Sequence, residues 1–413
     1  MADCEPRADA MGAAWQRWKP VVVACCLLLP ALLCGCKLYR GAAPYLVTLY
    51  LVTIAVYCLV AVGYLTPLRA WISGRLWVGF GFTAVCLLLL VDWIEPRAAW
   101  RAMRTANHGL LLMMLIPYLL SYWLRAVRWQ VLLLPVKRVS FKNSFDALMI
   151  GFWGNSVYPA RAGEFLRAYA IAKTENISKS AAFATVVMER IWDGIMVLLF
   201  LLALLLFFPL VSPEVRYAGL AGLVVFGGAL VIMLLLHFAE QRVLVMARRL
   251  LCGRMPPARI ERGVEVFLSF SRGIAVVRHP GRLLLILGST LLIWLLSLVA
   301  LYPALLAFDF GITFSMTTLA VAATVTLVAT SLAITVPSAP GGAGPFQVAT
   351  LIALVTVVPP GATVDLAQFK SVSASFSIAY WLLSILPVIA IGFYALWSAR
   401  LQVREVRRLT EQE

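Results

Sequence analysis

Charge is scarce in this chain: Asp, Glu, Lys and Arg make up 13% of its 413 residues, against 62% hydrophobic ones. A soluble fold of this length lacks the polar exterior to cover so much apolar surface, which excludes an ordinary globular protein. Histidine is limited to His108, His237 and His279, far apart in the sequence. The eight cysteines form no Cys-x-x-Cys pair, and most sit in apolar runs, where cysteine behaves as a small hydrophobe. A metal centre and a disulfide framework are therefore not expected, and no cofactor is called for. Also missing are G-x-S-x-G, a Walker phosphate loop and H-E-x-x-H, so covalent and metal-assisted catalysis lack their signatures. Acidic residues are fewer than basic ones, 19 against 35, for a net charge of +16. No polar segment is long enough to form a nucleic-acid domain. Anionic or phosphate-bearing lipid is the partner that this excess fits.

Long apolar runs are what the chain has instead. A membrane-crossing helix takes about 20 such residues. The runs 20–36, 44–66, 76–94, 109–124, 186–208, 217–238, 283–307 and 372–397 meet or approach that length. The expected fold is an all-α polytopic membrane protein of about 8–10 transmembrane helices. Residues 1–108 would supply about three N-terminal spans, 109–397 the main membrane domain and 398–413 a basic tail. The run that begins "VVVACCLLLP" has a basic flank but no small-residue cleavage pattern, so a retained first helix is expected.

Basic residues concentrate in 125–142, 240–282 and the C-terminal tail, which the positive-inside tendency places in the cytoplasm. Both termini then lie inside a plasma (inner) membrane, and 209–217 and 308–312 lie outside. Residues 240–282 alternate apolar and basic positions, as a surface-lying helix pair would. The loop 95–107 disagrees, because it comes out external while carrying Arg97, Arg101 and Arg104. Either the first helices are miscounted or this stretch lies in the interface.

Two regions are too broken to cross simply. Residues 143–159 lie between basic segments, so they should enter and return on one side. Residues 315–358 are interrupted by "VPSAPGGAGPF" and should do the same from the other side. Re-entrant backbone survives at membrane depth only where protein or a wet cavity satisfies its polar groups. An internal echo links the two: "PARAGEF" (159–165) and "PGGAGPF" (340–346) share P-x-x-x-G-x-F. An inverted repeat of 109–208 against 283–397 would produce this.

The charged residues near these regions fall in one block. Arg125, Arg128 and Trp129 end one span; Asn155, Pro159, Arg161, Gly163, Glu164 and Arg167 follow; Glu189, Arg190 and Asp193 open the next helix. Each ionised side chain at membrane depth costs about 2.5–3.5 kcal/mol on insertion scales. Such a set is held only if its members pair with one another or face water. Arginine's planar fork of donors also suits phosphate. The same residues read equally as an interfacial anchor (Arg125, Arg128, Trp129) and a purely structural ion-pair network (Glu189, Arg190, Asp193).

In order, these motifs resemble the flippase-like transmembrane domain of lysylphosphatidylglycerol synthases: R-x-x-R-W, N-x-x-x-P-x-R-x-G-E-x-x-R, E-R-x-x-D and a late P-G-G-x-G, the last at Pro340, Gly341, Gly342 and Gly344. The family commonly carries a glutamate after this last motif, where the present chain has Gln347. The aminoacyl-transferase domain of the full synthases has no counterpart in the sequence. The resemblance implies translocation of a phosphate-containing lipid through a polar intramembrane cavity, without enzymatic activity. The arginines would meet phosphate, and Glu164, Glu189 and Asp193 would balance them. Pro159, Gly163 and residues 340–344 would form the broken backbone. The rival expectations are a membrane glycosyl- or phospho-transferase acting on a lipid carrier, and a non-catalytic partner of a lipid-synthesising enzyme.

Overall fold

The computed structural model describes residues 94–158, 161–207, 279–335, 338–359 and 364–398, together with isolated positions in 83–90 and 224–268. The expected spans 20–36, 44–66 and 217–238 lie outside the described residues apart from such positions, as do most of 76–94 and 240–278, and the tail. Among the described residues every regular element is helical.

The surface helix α1 (Pro96–Thr105) leads into α2 (His108–Met113) and α3 (Leu115–Leu133), broken only at Met114. Then come α4 (Phe141–Val157), α5 (Gly163–Glu175) and α6 (Lys179–Phe207). After 279 the order is α7 (Pro280–Leu306), the short α8 (Phe310–Thr313), α9 (Met316–Ala333), α10 (Pro345–Thr356) and α11 (Leu366–Ser398). Among the described residues, four stretches are long and apolar enough to cross a membrane: His108–Leu133, Pro280–Leu306, Met316–Ala333 and Leu366–Ser398. The protein is thus an all-α, multi-pass membrane protein, as the apolar runs require.

Local chemistry sets the breaks. Ser140 caps α4 by accepting from the Asn143 backbone N–H at 3.2 Å, and Ser315 caps α9 in the same way on Thr318 at 3.3 Å. Tyr158 is extended (φ −98°, ψ 143°), as a residue preceding a proline should be, and α4 stops there. α5 ends on Asn176 in the left-handed region (φ 52°). Proline opens α7 and α10 at a position where its missing N–H costs nothing.

The two halves repeat in three dimensions. α3 packs on α7; α4 packs on α11 while α9 packs on α6; α4–α5 and α9–α10 form close hairpins; α5 and α10 pack on α6 and α11. Exchanging α3, α4, α5, α6 for α7, α9, α10, α11 maps this set of contacts onto itself. The hairpins also open toward opposite ends. Lys142 at the start of α4 meets Ser398 at the end of α11, whereas Phe314, before α9, packs edge-on against Phe369 at the start of α11. The inverted repeat expected from seven residues of sequence echo is the architecture of the described helices.

The same packing bears on the conflict over 95–107. Asn107 N–H donates to the Ala307 carbonyl, so α1 lies at the 308–312 end. There Ala98 is buried while Arg97, Arg101, Arg104 and Trp100 are exposed. α1 thus has the one-sided exposure of an interfacial helix, while the count of the first helices lies outside the described residues.

Glycines within the helices divide sharply. Inside α7 a methyl group on Gly288 would meet nothing within 4 Å. Gly288→Ala is therefore expected to raise stability by up to about 1 kcal/mol, the helix-propensity difference, as a higher unfolding temperature in micelles.

Candidate functional site

The charged block folds into one cluster where α3, α4, α5, α6 and α7 converge. Its inner layer is sealed. Arg128, fully buried, donates to Asp193 Oδ1 at 2.8 Å and Oδ2 at 3.3 Å, and to Thr290 Oγ1 at 3.0 Å; its Nη2 also lies 3.3 Å from Glu189 Oε1. Arg167 donates to Glu189 Oε2 at 2.6 Å and lies 3.7 Å above the centroid of the Trp129 ring. That ring is fixed in turn by its indole N–H, which donates to Thr185 at 3.0 Å. Trp294 donates to Asp193 Oδ1 at 3.3 Å. The helical period explains the convergence: 189 and 193 are one turn apart on α6, and Arg125 and Arg128 occupy neighbouring positions on α3.

The outer layer is looser and partly open. Arg190 Nε lies 3.3 Å from Glu164 Oε1, and its two terminal nitrogens lie 3.6 Å from Glu189 and 3.8 Å from Asp193. Arg161 reaches Glu164 only at 3.9 Å, and Arg125 reaches Asp193 at 3.5 Å. Their side chains remain 30%, 32% and 16% exposed, and all three line a cavity of about 330 Å³. A second lobe of about 180 Å³ adjoins it, sharing Tyr118, Tyr122, Arg161 and Arg190. The hydroxyls of Tyr118 and Tyr122 are hydrogen-bonded to each other at 2.8 Å.

Backbone at the two hairpin turns forms the rest of the wall. Arg161 has φ +57°, a conformation uncommon for any residue but glycine, and its side chain lines the cavity. Opposite, Gly341, Gly342 and Gly344 have φ +67°, +71° and +90°, which only glycine adopts freely. Trp381 on α11 holds that turn by donating to the Gly341 carbonyl at 2.8 Å. Gln347 accepts from the Gly344 N–H at 2.8 Å, so this residue caps α10 and is buried rather than exposed to the cavity. Pro340 lies in the short 3-10 turn beside α4. Pro159 lies outside the described residues.

Thus the structure brings Arg125, Arg128, Arg161, Glu164, Arg167, Glu189, Arg190 and Asp193 into one cluster, and puts Asn155 on the cavity wall. It also divides them. Arg128, Arg167 and Glu189 are enclosed and mutually engaged; Arg125, Arg161, Glu164 and Arg190 are reachable. The inner layer has the form of an ion-pair network, and the outer layer leaves arginines beside open space. Sequence reasoning did not point to the neutral wall of the cavity, Tyr118 and Tyr122 from α3, Trp294 from α7, and Ser331, Thr335, Trp381 and Ser384 from later helices, nor to buried Thr290, which accepts from Arg128. Tyr118, Tyr122 and Arg125 recur at helical spacing and carried a signal. The hydroxyls of the second half sit singly in apolar runs and carried none.

Comparison with known proteins gives a consistent picture. The family described as the lysylphosphatidylglycerol synthase TM region matches residues 76–364. Two proteins of Methanothermobacter thermautotrophicus, each named only as a UPF0104 membrane protein, are 26% identical over 347 residues and 23% over 330 residues. These matches cover 78% and 76% of this chain, and 96% and 92% of theirs. A Haloferax volcanii protein named glycosyltransferase AglD is 30% identical over 118 residues, 28% of this chain. The chain spans only 19% of that relative's length. No solved structure matches.

Proposed function

This membrane protein belongs to the lysylphosphatidylglycerol synthase transmembrane-region family, and we propose that it moves a phosphate-bearing lipid between leaflets. The observation that carries this reading is the arginine-lined cavity between two oppositely opening hairpins. Charges at membrane depth are sustained only with partners or water, and here the partners are distributed unevenly, so that Arg161 and Arg190 face open space. A headgroup phosphate would enter that space while the acyl chains remain in lipid. Glu164 would restrain both arginines when the cavity is empty. The hairpin turns, held by glycine and by Trp381, would let either half of the repeat rock against the other, as inverted repeats do.

Reconstitution tests it. In proteoliposomes carrying headgroup-labelled lipids, an Arg161→Ala/Glu164→Ala double variant that folds normally is expected to lose most of the protein-dependent transfer. Wild-type transfer from that variant removes these residues from the pathway.

A second reading draws on the name of the Haloferax relative: a transferase acting on a lipid carrier, with Glu164 as base. It predicts headgroup modification when purified protein is given a lipid carrier and an activated sugar donor. The translocation reading predicts none.

A further inference from the structure

The cluster does not balance. Arg125, Arg128, Arg161, Arg167 and Arg190 face Glu164, Glu189 and Asp193, five positive charges against three negative, which leaves two. Among the described residues that line the cavity, the other polar groups, such as Tyr118, Tyr122, Ser331 and Ser384, are neutral. The surplus has an address. Glu189 and Asp193 are taken at close range by Arg167 and Arg128, at 2.6 and 2.8 Å. Glu164 is the nearest carboxylate to Arg190 and Arg161, at 3.3 and 3.9 Å, and Arg190 reaches the already engaged Glu189 and Asp193 only at 3.6 and 3.8 Å. Neither contact with Glu164 is an aligned hydrogen bond, since Arg190 Nε and Glu164 Oε1 are buried atoms without a hydrogen-bond partner. Unbalanced charge in an apolar surrounding is strongly unfavourable, and the described residues of the cluster leave it about two negative charges short.

We propose that the headgroup this cavity takes carries two negative charges, as a terminal phosphate monoester or a diphosphate borne on a lipid. A phosphate monoester holds about −1.5 to −2 charges near neutral pH, whereas a phosphodiester holds one. Arg161 at the α4–α5 turn and Arg190 on α6 would grip it, each with a fork of donors matched to phosphate oxygens. The sealed pair of Arg128 and Arg167 would supply a positive background without contact. This rests on the lipid reading above and sharpens it to a charge class.

The test is binding, read without transport. The full chain, purified in nanodiscs of neutral lipid, is titrated with phosphatidic acid and phosphatidylglycerol of identical acyl chains, following tryptophan fluorescence. Phosphatidic acid is expected to bind about tenfold tighter or more, and Arg161→Gln or Arg190→Gln to remove that preference. Equal binding of the two lipids by the wild-type protein, which needs no variant, overturns the proposal. So does an unchanged preference in both variants. Inorganic diphosphate distinguishes the source of the anion: if it binds in an Arg161-dependent way while the two lipids stay equal, the site serves a free anion and the lipid-borne proposal is overturned. A protein that prefers phosphatidic acid yet moves no lipid contradicts the translocation reading and leaves the charge class standing.

Discussion

Replacing Glu189 with alanine is expected to destabilise the protein by about 3–5 kcal/mol, the range for removing one partner of a buried ion pair. Glu189 is fully buried and meets both inner arginines, Arg167 at 2.6 Å and Arg128 at 3.3 Å. Asp193 still accompanies Arg128 once Glu189 is gone. Arg167 is different, because Glu189 is its only carboxylate partner among the described residues. Its guanidinium would stay 2% exposed with only the Trp129 face beside it. Such a charge repels its surroundings more than an aromatic ring can offset. Glu189→Gln retains a hydrogen-bond acceptor and should cost less. The contrast is Arg190→Gln, at a partly open position, where stability should change by about 1 kcal/mol or less. Thermal unfolding of the purified variants in micelles, or the folded yield on expression, checks the order Glu189→Ala, Glu189→Gln, Arg190→Gln. A reversed order shows that the inner layer does not hold the helices together.

Gly163→Ala is the second change with a large expected effect. α5 begins against α4, so closely that a methyl group on Gly163 would run into the Gly151 carbonyl and stand 2.7 Å from Asn155 Oδ1. Both neighbours are held by α4 itself, and the first is backbone. The strain cannot be relieved by a side-chain rotation. From the other side, methyl groups on Gly151 and Gly154 would approach Arg167 Cβ at 2.7 Å and Gly163 Cα at 2.8 Å. The hairpin is thus a three-glycine contact, and separating it displaces Arg167 from Glu189. Overpacking of this kind costs about 1–3 kcal/mol, and here the upper end is expected because a backbone must move. Loss of transfer should accompany the loss of stability. Gly288→Ala is the matched control. If both alanines behave alike in thermal unfolding, the close approach is not what fixes the turn.

How far the sequence reached depends on what each residue had to say locally. Membrane class follows from composition, and the long helices follow from run length. The hairpins were legible because Pro159, Gly163 and the 340–344 glycines interrupt apolar runs where nothing else explains an interruption. The charged cluster was legible because ionised residues in such runs require partners. Who pairs with whom was not, since Arg128 meets Thr290 across 162 positions and Arg167 meets Glu189 across 22. Nor was the division into a sealed and an open layer, which depends on how closely α4 and α5 pack. α1 was ambiguous for a physical reason: three arginines in ten residues satisfy a charge rule and an interfacial helix equally. Gln347 shows the opposite limit. A glutamine where the family commonly carries a glutamate does not by itself say where the side chain sits, and it caps α10.

The central claim is that Arg161 and Arg190 line the path of a lipid headgroup. It is tested most directly by the rate at which a headgroup-labelled phosphatidic acid changes leaflet in proteoliposomes of wild-type and Arg190→Gln protein, at equal folded amounts. The account predicts protein-dependent movement in the wild type and its loss, by about tenfold or more, in the variant. Equal rates in the two, or rates no different from protein-free liposomes, would contradict it.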